Sequence, residues 1–417
     1  MPDGKDEDAS TDREPYADYL YTIYQRGILL NQLPPVTTNP NLLEAQARKA
    51  MKPEAFDYVH GAAGEMATME SNRLAFRQWK LIPRFMRATK PHRLAVDLFG
   101  VSYASPILMA PIGVQGIFHP EGERGVASAC AELAVPYTLS TASTTSIEHV
   151  ADASGPGAPR WFQLYWPTSE DITASLLGRA RKCGFGVLVV TLDTFSVGWR
   201  PLDLDRAYLP FATGTGNAVG FSDPVFRRKF EAANDGETVE DNVVMASRAW
   251  TSEIFPGDGR DWSHLEVLRR HWDGPLLLKG ILSVEDAQRA ADTGLVDGIV
   301  VSNHGGRQVD GAVASLEVLP EIVDAVGGRL TVLFDSGIRT GADVMKALAL
   351  GARAAFVGRP VIYGLGVAGK EGAKCALAGV LADFDQSMGL AGFGSVRELG
   401  RHVLRRVSYG GDLKSNL

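Results

Sequence analysis

The sequence has little cysteine, no long apolar run and no excess of basic charge, and each shortage excludes a class of protein. Its three cysteines, Cys130, Cys183 and Cys375, lie far apart, which argues against a disulfide framework and favours a reducing compartment. No apolar run approaches the roughly 18 residues that a membrane span requires. The 42 basic and 49 acidic residues give a net charge of −7, without the positive field that binds nucleic acid. We therefore expect neither a membrane nor a nucleic-acid partner.

Several common catalytic motifs are also missing. The sequence contains no Walker A loop, no H-E-x-x-H and no His/Asp cluster at metal-ligand spacing, so we expect no bound metal. A G-x-G-x-x-G pattern occurs at Gly364–Gly369, but no strand with an acidic end follows about 20 residues later. This context argues against dinucleotide binding by that segment.

What the sequence does have is a series of eight short apolar runs separated by helical segments. Runs that are apolar on both faces are typical of buried parallel strands, and eight strand-helix units in about 250 residues are typical of a (β/α)₈ barrel. A doubly wound sheet is the alternative, although it usually has fewer strands. The predicted strands are Pro106–Ala110, Tyr137–Ser140, Trp161–Tyr165, Val187–Leu192, Pro275–Lys279, Gly298–Ser302, Thr331–Asp335 and Ala354–Gly358.

One gap in this series is much longer than the others and follows the fourth strand. Residues 201–258 are rich in glycine, proline and charge, and a long insertion at this face of a barrel is placed to cover an active site. A disordered surface insert is the alternative. The aromatic residues of the segment favour a docked lid: Tyr208, Phe211, Phe221, Phe226 and Phe230.

The chain ends differ from this body. Residues 1–18 contain seven acidic and two basic residues, a short amphipathic piece runs from Tyr16 to Leu30, and helical spacing appears from Asn41. An acidic N-terminus does not resemble a signal peptide, which favours the cytoplasm, whereas Ser415-Asn416-Leu417 differs from the peroxisomal S-K-L signal at one position. We predict three parts: residues 1–40 as an acidic tail and Pro-rich extension, residues 41–390 as an α/β barrel with an N-terminal helical segment, and residues 391–417 as a C-terminal extension.

Polar and small residues follow each predicted strand, where barrel enzymes place their active sites. His304 lies in a Gly-rich strand-end loop, and histidine is the side chain best suited to accept a proton near neutral pH. Asp193 ends another strand and can orient that imidazole, while Arg307 can bind a carboxylate through two hydrogen bonds. A histidine that is only a buried structural residue is the simpler alternative for His304 alone.

Lys279 and the last two strand ends indicate an anionic ligand. Lys279 ends an apolar run, so it needs an anionic partner, a Schiff-base role as in barrel aldolases, or negative charge on a cofactor. The segments Asp335–Arg339 and Gly358-Arg359 combine glycine loops with arginines, the usual phosphate site of a barrel. We therefore predict a phosphorylated substrate or cofactor.

These strand-end motifs resemble those of the FMN-dependent α-hydroxy-acid oxidase and dehydrogenase family over roughly residues 40–375. Ser302–Gln308 is similar to the family's active-site signature, and further segments match in order and spacing: Met109–Pro111, Leu139–Thr141, Phe162–Tyr165, Thr191–Thr194, Leu278–Gly280 and Asp335–Arg339. The resemblance implies FMN as the cofactor of the barrel, and a 2-hydroxy acid and O₂ as small-molecule partners.

The resemblance also implies a role for each matched residue. It makes His304 the base, pairs it with Asp193, and adds Tyr165 and Lys279 to the catalytic set. The substrate would be bound by Tyr58, Ala142, Tyr165, Arg200 and Arg307. FMN would be held by Ala110, Ser140, Gln163, Thr191, Lys279, Ser302, Asp335, Gly337, Arg339, Gly358 and Arg359.

Two further features narrow the expected substrate and products. Many glycolate-type members of the family carry tryptophan where this chain has Ala142, and lactate-acting members tend to have a small residue there. Trp199-Arg200-Pro201 and the long insertion make the chain most similar to lactate 2-monooxygenases, which implies L-lactate and O₂ as substrates and acetate, CO₂ and water as products. A 2-hydroxy-acid oxidase that releases H₂O₂ and, more distantly, an aldolase acting through Lys279 are the alternatives. Relatives are often homotetramers or homo-octamers.

Overall fold

The computed structural model describes residues 15–90 and 92–408 of the chain. The strands in the described part are β1 (Trp79–Leu81), β2 (Val96–Leu98), β3 (Val101–Tyr103), β4 (Ile107–Met109), β5 (Tyr137–Ser140), β6 (Arg160–Leu164), β7 (Phe185–Thr191), β8 (Leu276–Ile281), β9 (Gly298–Val301), β10 (Thr331–Phe334), β11 (Ala355–Val357) and β12 (Leu404–Arg406).

The α-helices alternate with these strands along most of the chain. They are α1 (Tyr19–Leu30), α2 (Pro40–Ala50), α3 (Pro53–His60), α4 (Ala67–Gln78), α5 (Gly122–Glu132), α6 (Ile147–Ser154), α7 (Glu170–Lys182), α8 (Pro201–Leu204), α9 (Ala218–Phe221), α10 (Pro224–Ala233), α11 (Val243–Ile254), α12 (Leu265–His271), α13 (Val284–Asp292), α14 (Ser315–Val326), α15 (Gly341–Ala349) and α16 (Arg359–Leu390). Helix α16 contains a break at Ala368 and Gly369, where the backbone leaves helical geometry.

Strands β4 to β11 form a closed parallel barrel in chain order, with β11 paired to β4. Each of the eight predicted apolar runs overlaps one barrel strand, so the (β/α)₈ prediction is confirmed and the doubly wound alternative is wrong. The reason is visible in burial, because almost every residue of these strands is buried, as strands enclosed by helices require. The G-x-G-x-x-G segment lies inside α16, where its glycines allow close backbone packing between Gly364 and Gly372.

The interior of the barrel is filled and its N-terminal end is covered. Leu277, Val300 and Leu333 pack inside the barrel with Trp161 and Phe356. The antiparallel hairpin of β2 and β3 precedes the first barrel strand and adds Leu98 and Tyr103 to the same cluster. A filled, covered barrel leaves the C-terminal strand ends as the open face, which is where a barrel binds ligands.

The long insertion after β7 is folded and helical. It contains α8, α9, α10 and α11, and Phe226, Phe230 and Trp250 are buried in its packing. Buried Asp223 caps α10 and accepts a hydrogen bond of 2.7 Å from Ser175 of α7, so the insertion is attached to the barrel wall. The disordered-insert alternative is therefore wrong.

The chain termini also pack on the barrel within the described part. Strand β12 pairs antiparallel with β1, so the start of the predicted C-terminal extension returns to the N-terminal segment. Most of the acidic tail, residues 1–14, and the last nine residues lie outside the described residues. Among residues 15–90 and 92–408, none of the helices combines the length and hydropathy of a membrane span, and no three metal-ligating side chains cluster.

Candidate active site

A cavity lies at the C-terminal ends of the barrel strands. Its lining includes most of the predicted site residues, although they are spread over 300 residues of sequence. Those that line it are Tyr58, Ala110, Ala142, Tyr165, Arg200, Lys279, His304, Arg307, Asp335, Gly337, Arg339, Gly358 and Arg359.

His304 and Asp193 form a hydrogen-bonded pair beside this cavity. The His304 Nδ1 atom lies 2.8 Å from Asp193 Oδ1, and the Thr194 hydroxyl donates a 2.9 Å hydrogen bond to the same carboxylate oxygen. His304 adopts a positive φ of 58°, followed by positive φ at Gly305 and Gly306, so the glycines allow the tight loop that presents the imidazole. With Nδ1 directed at Asp193, Nε2 is left as the nitrogen that can accept a proton.

Burial and charge set the protonation of this pair. Burial lowers the pKa of His304, and this effect exceeds the opposing effect of Asp193. Burial raises the pKa of Asp193, but the nearby charges of His304 and Lys279 outweigh it and bring the value to about 2. At neutral pH the site therefore holds a neutral imidazole against an ionised carboxylate, which is the state a general base needs.

Two guanidinium groups lie at the same end of the cavity. Arg307 Nη1 donates 2.6 Å hydrogen bonds to the carbonyl oxygens of Tyr58 and Gly61. Arg200 Nε donates to the Arg307 carbonyl at 3.0 Å, and its Nη2 donates to Gln308 Oε1 at 2.8 Å. Burial and the neighbouring Arg200 lower the pKa of Arg307 to about 9. All four acceptors are neutral oxygens, so they orient the guanidinium groups without cancelling their charge.

Lys279 has the anionic partner that its buried position requires. Its Nζ atom lies 3.3 Å from Asp335 Oδ2 and donates a 3.0 Å hydrogen bond to Ser302 Oγ. The predicted cofactor residues Lys279, Ser302 and Asp335 therefore form one cluster across strands β8, β9 and β10.

A chain of hydrogen bonds joins three more predicted cofactor residues. Ser140 Oγ donates to Gln163 Oε1 at 2.9 Å, and Gln163 Nε2 donates to Thr191 Oγ1 at 3.0 Å. These side chains come from the ends of β5, β6 and β7 and are buried. They are not among the cavity-lining residues, as Asp193 and Ser302 also are not, and they lie at the strand ends that surround it.

Two further cations, buried Arg359 and half-buried Arg339, also line the cavity. Arg359 donates to the carbonyl oxygens of Val59 and Gly305 at 2.8 Å and 3.0 Å. Arg339 donates to the carbonyl oxygen of Ile338 at 2.9 Å, and burial lowers its pKa to about 10. Gly337 has a φ of 94°, and a Cβ there would lie 3.2 Å from the backbone oxygen of Asn72. Together these groups offer positive charge and close backbone approach, the two requirements of a phosphate site.

An aromatic wall from the insertion completes the cavity. Phe211 and Phe255 line it, and the Phe255 ring lies 5.0 Å from Tyr165 and 5.7 Å from Phe211, centroid to centroid. Ala142 packs in the same cluster and is 4% exposed. Burial raises the pKa of the Tyr165 hydroxyl, so this group stays protonated and able to donate.

Three residues of the site carried no assignment from the sequence. Thr194 contacts both Asp193 and His304, Phe255 belongs to the aromatic wall, and Gln308 bonds Arg200. Thr194 directly follows Asp193 in the sequence, and Gln308 directly follows Arg307. Their position beside predicted site residues is the feature that could have identified them. Phe255 lies near the end of a long insertion, and no local pattern indicates which aromatic residues of the insertion reach the cavity.

Comparison with protein-family models matches residues 47–406 to the FMN-dependent dehydrogenases. The chain belongs to this family. The FMN-dependent alpha-hydroxy acid dehydrogenase qulF of Penicillium citrinum is 57% identical over 404 residues, covering 96% of this chain and 99% of the relative. L-lactate oxidase of Lysinibacillus sphaericus is 40% identical over 358 residues, covering 86% and 90%. A crystal structure of mandelate oxidase, 38% identical, superposes with a TM-score of 0.75 over 89% of this chain and 98% of that chain.

The family and the cavity agree on the cofactor and on the reaction type. FMN carries a phosphate, and the cavity lining includes two arginines, Arg339 and Arg359, together with Gly337 and Gly358, a set whose chemistry suits a phosphate. The chain is an FMN-dependent oxidoreductase of 2-hydroxy acids, as the prediction from the sequence motifs stated. This assignment removes the aldolase alternative for Lys279.

Proposed function

We propose that this family member oxidises an L-2-hydroxy acid with a small apolar side chain, L-lactate first among them, and uses O₂ as the acceptor. The observation that carries the proposal is the His304–Asp193 pair at 2.8 Å beside a cavity that Arg200 and Arg307 also line. A base and two carboxylate-binding cations around one space match the two functional groups of a 2-hydroxy acid.

The chain's own groups divide the work on the substrate. Arg200 and Arg307 bind its carboxylate, with the Tyr58 hydroxyl beside them, and Tyr165 donates to its hydroxyl oxygen. His304 Nε2 accepts the proton that the substrate loses, and Asp193 stabilises the resulting imidazolium. Bound FMN supplies the two-electron acceptor of the reaction.

The second group of residues holds the cofactor. Arg339, Arg359, Gly337 and Gly358 bind the phosphate, with Asp335 on the ribityl chain. Lys279 places positive charge where negative charge develops during the reaction, and its pairing with Asp335 fixes the ammonium group in position. The remaining contacts to the ring system and its ribityl chain come from Ala110, Ser140, Gln163, Thr191 and Ser302.

We further propose that the 2-oxo acid stays bound long enough to be decarboxylated, so that L-lactate and O₂ give acetate, CO₂ and water. The support lies in the insertion, because α8 starts directly after Arg200 and Phe211 and Phe255 pack over the cavity. Slow opening of a packed cover lengthens the time that product spends in the site. The second candidate is an oxidase that releases pyruvate and H₂O₂, favoured by the 40% identity to an L-lactate oxidase.

The product balance in air, without catalase, tests this choice. We expect acetate and CO₂ from L-lactate with little H₂O₂. Phe255→Ala opens the aromatic wall and should shift the balance toward pyruvate and H₂O₂, whereas Phe221→Ala, which changes an insertion residue outside the cavity lining, should not. Stoichiometric pyruvate and H₂O₂ from the unmodified enzyme would establish the oxidase instead.

We also propose a homotetramer or homo-octamer. The support is a set of exposed apolar side chains at the end of α1 and just beyond it, where Ile28, Leu29 and Leu33 are 81%, 76% and 86% exposed. Such a patch usually marks an interface. Light scattering of the purified protein is expected to give one of these assemblies, and a monomer at micromolar concentration would contradict it.

A further inference from the structure

We infer that Gln308 is a positioning residue that orients the Arg200 guanidinium for the substrate carboxylate. This inference rests on the proposed role of Arg200. Gln308 is half-buried and does not line the cavity, so it acts on the substrate only through its neighbours.

The Gln308 amide uses every hydrogen-bonding position it has. Oε1 accepts from Arg200 Nη2 at 2.8 Å and from the Gly198 backbone N–H at 3.3 Å. Nε2 donates to the carbonyl oxygens of Asp193 and Ser196, both at 2.8 Å. A glutamine side chain has two donors and an acceptor oxygen with two lone pairs, so this set is complete.

These bonds join parts of the chain that are distant in sequence. The segment 193–200 leaves the end of β7, while Gln308 lies in the loop after β9, more than 100 residues later. The two segments are in close contact, since a Cβ on Gly198 would lie 2.6 Å from the Arg307 carbonyl oxygen and 2.8 Å from that of Gln308. The amide therefore holds the segment that carries both Asp193 and Arg200 against the loop that carries His304 and Arg307.

The chemistry of the amide explains why glutamine suits this position. A carboxylate there would accept from Arg200 equally well, but it would neutralise the guanidinium and repel the carbonyl oxygens of Asp193 and Ser196. A neutral acceptor directs Nη2 and leaves the positive charge for the substrate. Electrostatic competition thus predicts that glutamate is worse here than a side chain with no hydrogen bond at all.

The test compares Gln308→Met, which keeps the side-chain length, with Gln308→Glu in the FMN-loaded enzyme. Two constants are measured: the KM for L-lactate and the Kd of oxalate, which is obtained from the change in flavin absorbance on binding. Oxalate carries carboxylates but has no hydrogen to transfer. We expect Gln308→Met to raise both by about tenfold, with kcat changed by less than about threefold, because one charge-assisted bond is lost. Gln308→Glu should raise both further.

Controls separate this inference from the proposed function. Gln46→Met removes another amide that bridges two backbone groups, those of Thr37 and Pro35, and should leave both constants unchanged. Arg200→Lys should weaken the binding of oxalate. In the Arg200→Lys background, Gln308→Met should raise the Kd of oxalate little further. Unchanged oxalate affinity in Arg200→Lys would contradict the carboxylate role of Arg200 itself.

If Arg200→Lys weakens oxalate binding but neither Gln308 variant does, the positioning role of Gln308 is wrong and the carboxylate role of Arg200 stands. A purely structural role is indicated if Gln308→Glu is milder than Gln308→Met, or if both lower kcat and FMN content together. Gln308→Glu alone decides the question if the methionine variant fails to fold, since unchanged oxalate affinity in it overturns the inference.

Discussion

The basic side chains of the cavity fall into two groups that are held in different ways. His304 and Lys279 are each paired with a carboxylate, Asp193 at 2.8 Å and Asp335 at 3.3 Å. In the part of the chain that the structure describes, no ion pair with a carboxylate involves the second group: Arg200, Arg307, Arg339 and Arg359. These four donate to backbone carbonyls or to the Gln308 amide.

The difference indicates what each group is for. A carboxylate partner keeps a proton-handling or charge-stabilising group in one orientation and offsets positive charge that forms during the reaction. Neutral acceptors orient a guanidinium but leave its charge available for an external anion. We therefore expect changes in the paired group to alter the chemical step and changes in the unpaired group to alter binding of substrate or FMN.

The largest expected effect is on the chemical step, through His304. His304→Asn should leave FMN bound but slow anaerobic bleaching of the flavin bands by L-lactate at least about 10²-fold, because the base is lost. Stopped-flow absorbance measures the rate. His149→Asn, at an exposed position of α6, serves as the control and should keep the original rate. Rapid bleaching in His304→Asn would show that another group accepts the proton.

Asp193→Asn should combine a slower reaction with a shifted pH profile. The carboxylate raises the pKa of His304 while burial lowers it, so its removal lowers that pKa further and moves the acid limb of kcat/KM to lower pH. The maximal rate should fall roughly 10- to 100-fold because the imidazolium loses its counter-charge. An acid limb that moves to higher pH would contradict the pairing.

For the unpaired group, Arg339→Ala should weaken FMN binding about 10- to 100-fold, since one charge-assisted contact to the phosphate is lost. Titration of the apo-protein with FMN, followed by flavin fluorescence, measures this affinity. Arg401→Ala removes an exposed arginine that is paired with Asp324, and it should leave FMN affinity unchanged. If Arg339→Ala retains FMN as firmly as the original enzyme, Arg339 does not bind the phosphate.

The last expected effect concerns Ala142, which packs beside the aromatic wall. Ala142→Trp should lower kcat/KM for L-lactate relative to glycolate by an amount equivalent to about 1–3 kcal/mol, because the larger ring takes the space of the substrate's methyl group. Steady-state kinetics with both acids give the ratio, and Ala232→Trp, at an exposed position of α10, is the control. An unchanged ratio would show that position 142 does not limit the side chain.

Much of the fold and of the strand-end chemistry could be predicted from the sequence. The apolar runs are long enough to be recognised as buried strands, and in a barrel the residue after each strand faces one common mouth. The sequence alone identifies His304, Lys279 and Arg339 by this rule. The anionic partner that buried Lys279 requires could be predicted, but its identity as Asp335 depends on neighbouring strands.

The rest depends on contacts between distant segments. Phe255 lies at the end of an insertion whose docking has no local sequence pattern. The four hydrogen bonds of Gln308 exist only because the segment 193–200 approaches its loop. The sequence presents each residue, but its role follows from tertiary packing.

Anaerobic titration of the purified, FMN-loaded enzyme with L-lactate tests the central claim most directly. If the paired base and the unpaired arginines act on one 2-hydroxy acid, the flavin bands should bleach with one pyruvate formed per flavin, and D-lactate should act far more slowly. Flavin bands that persist in excess L-lactate and in other L-2-hydroxy acids with small apolar side chains would contradict the account.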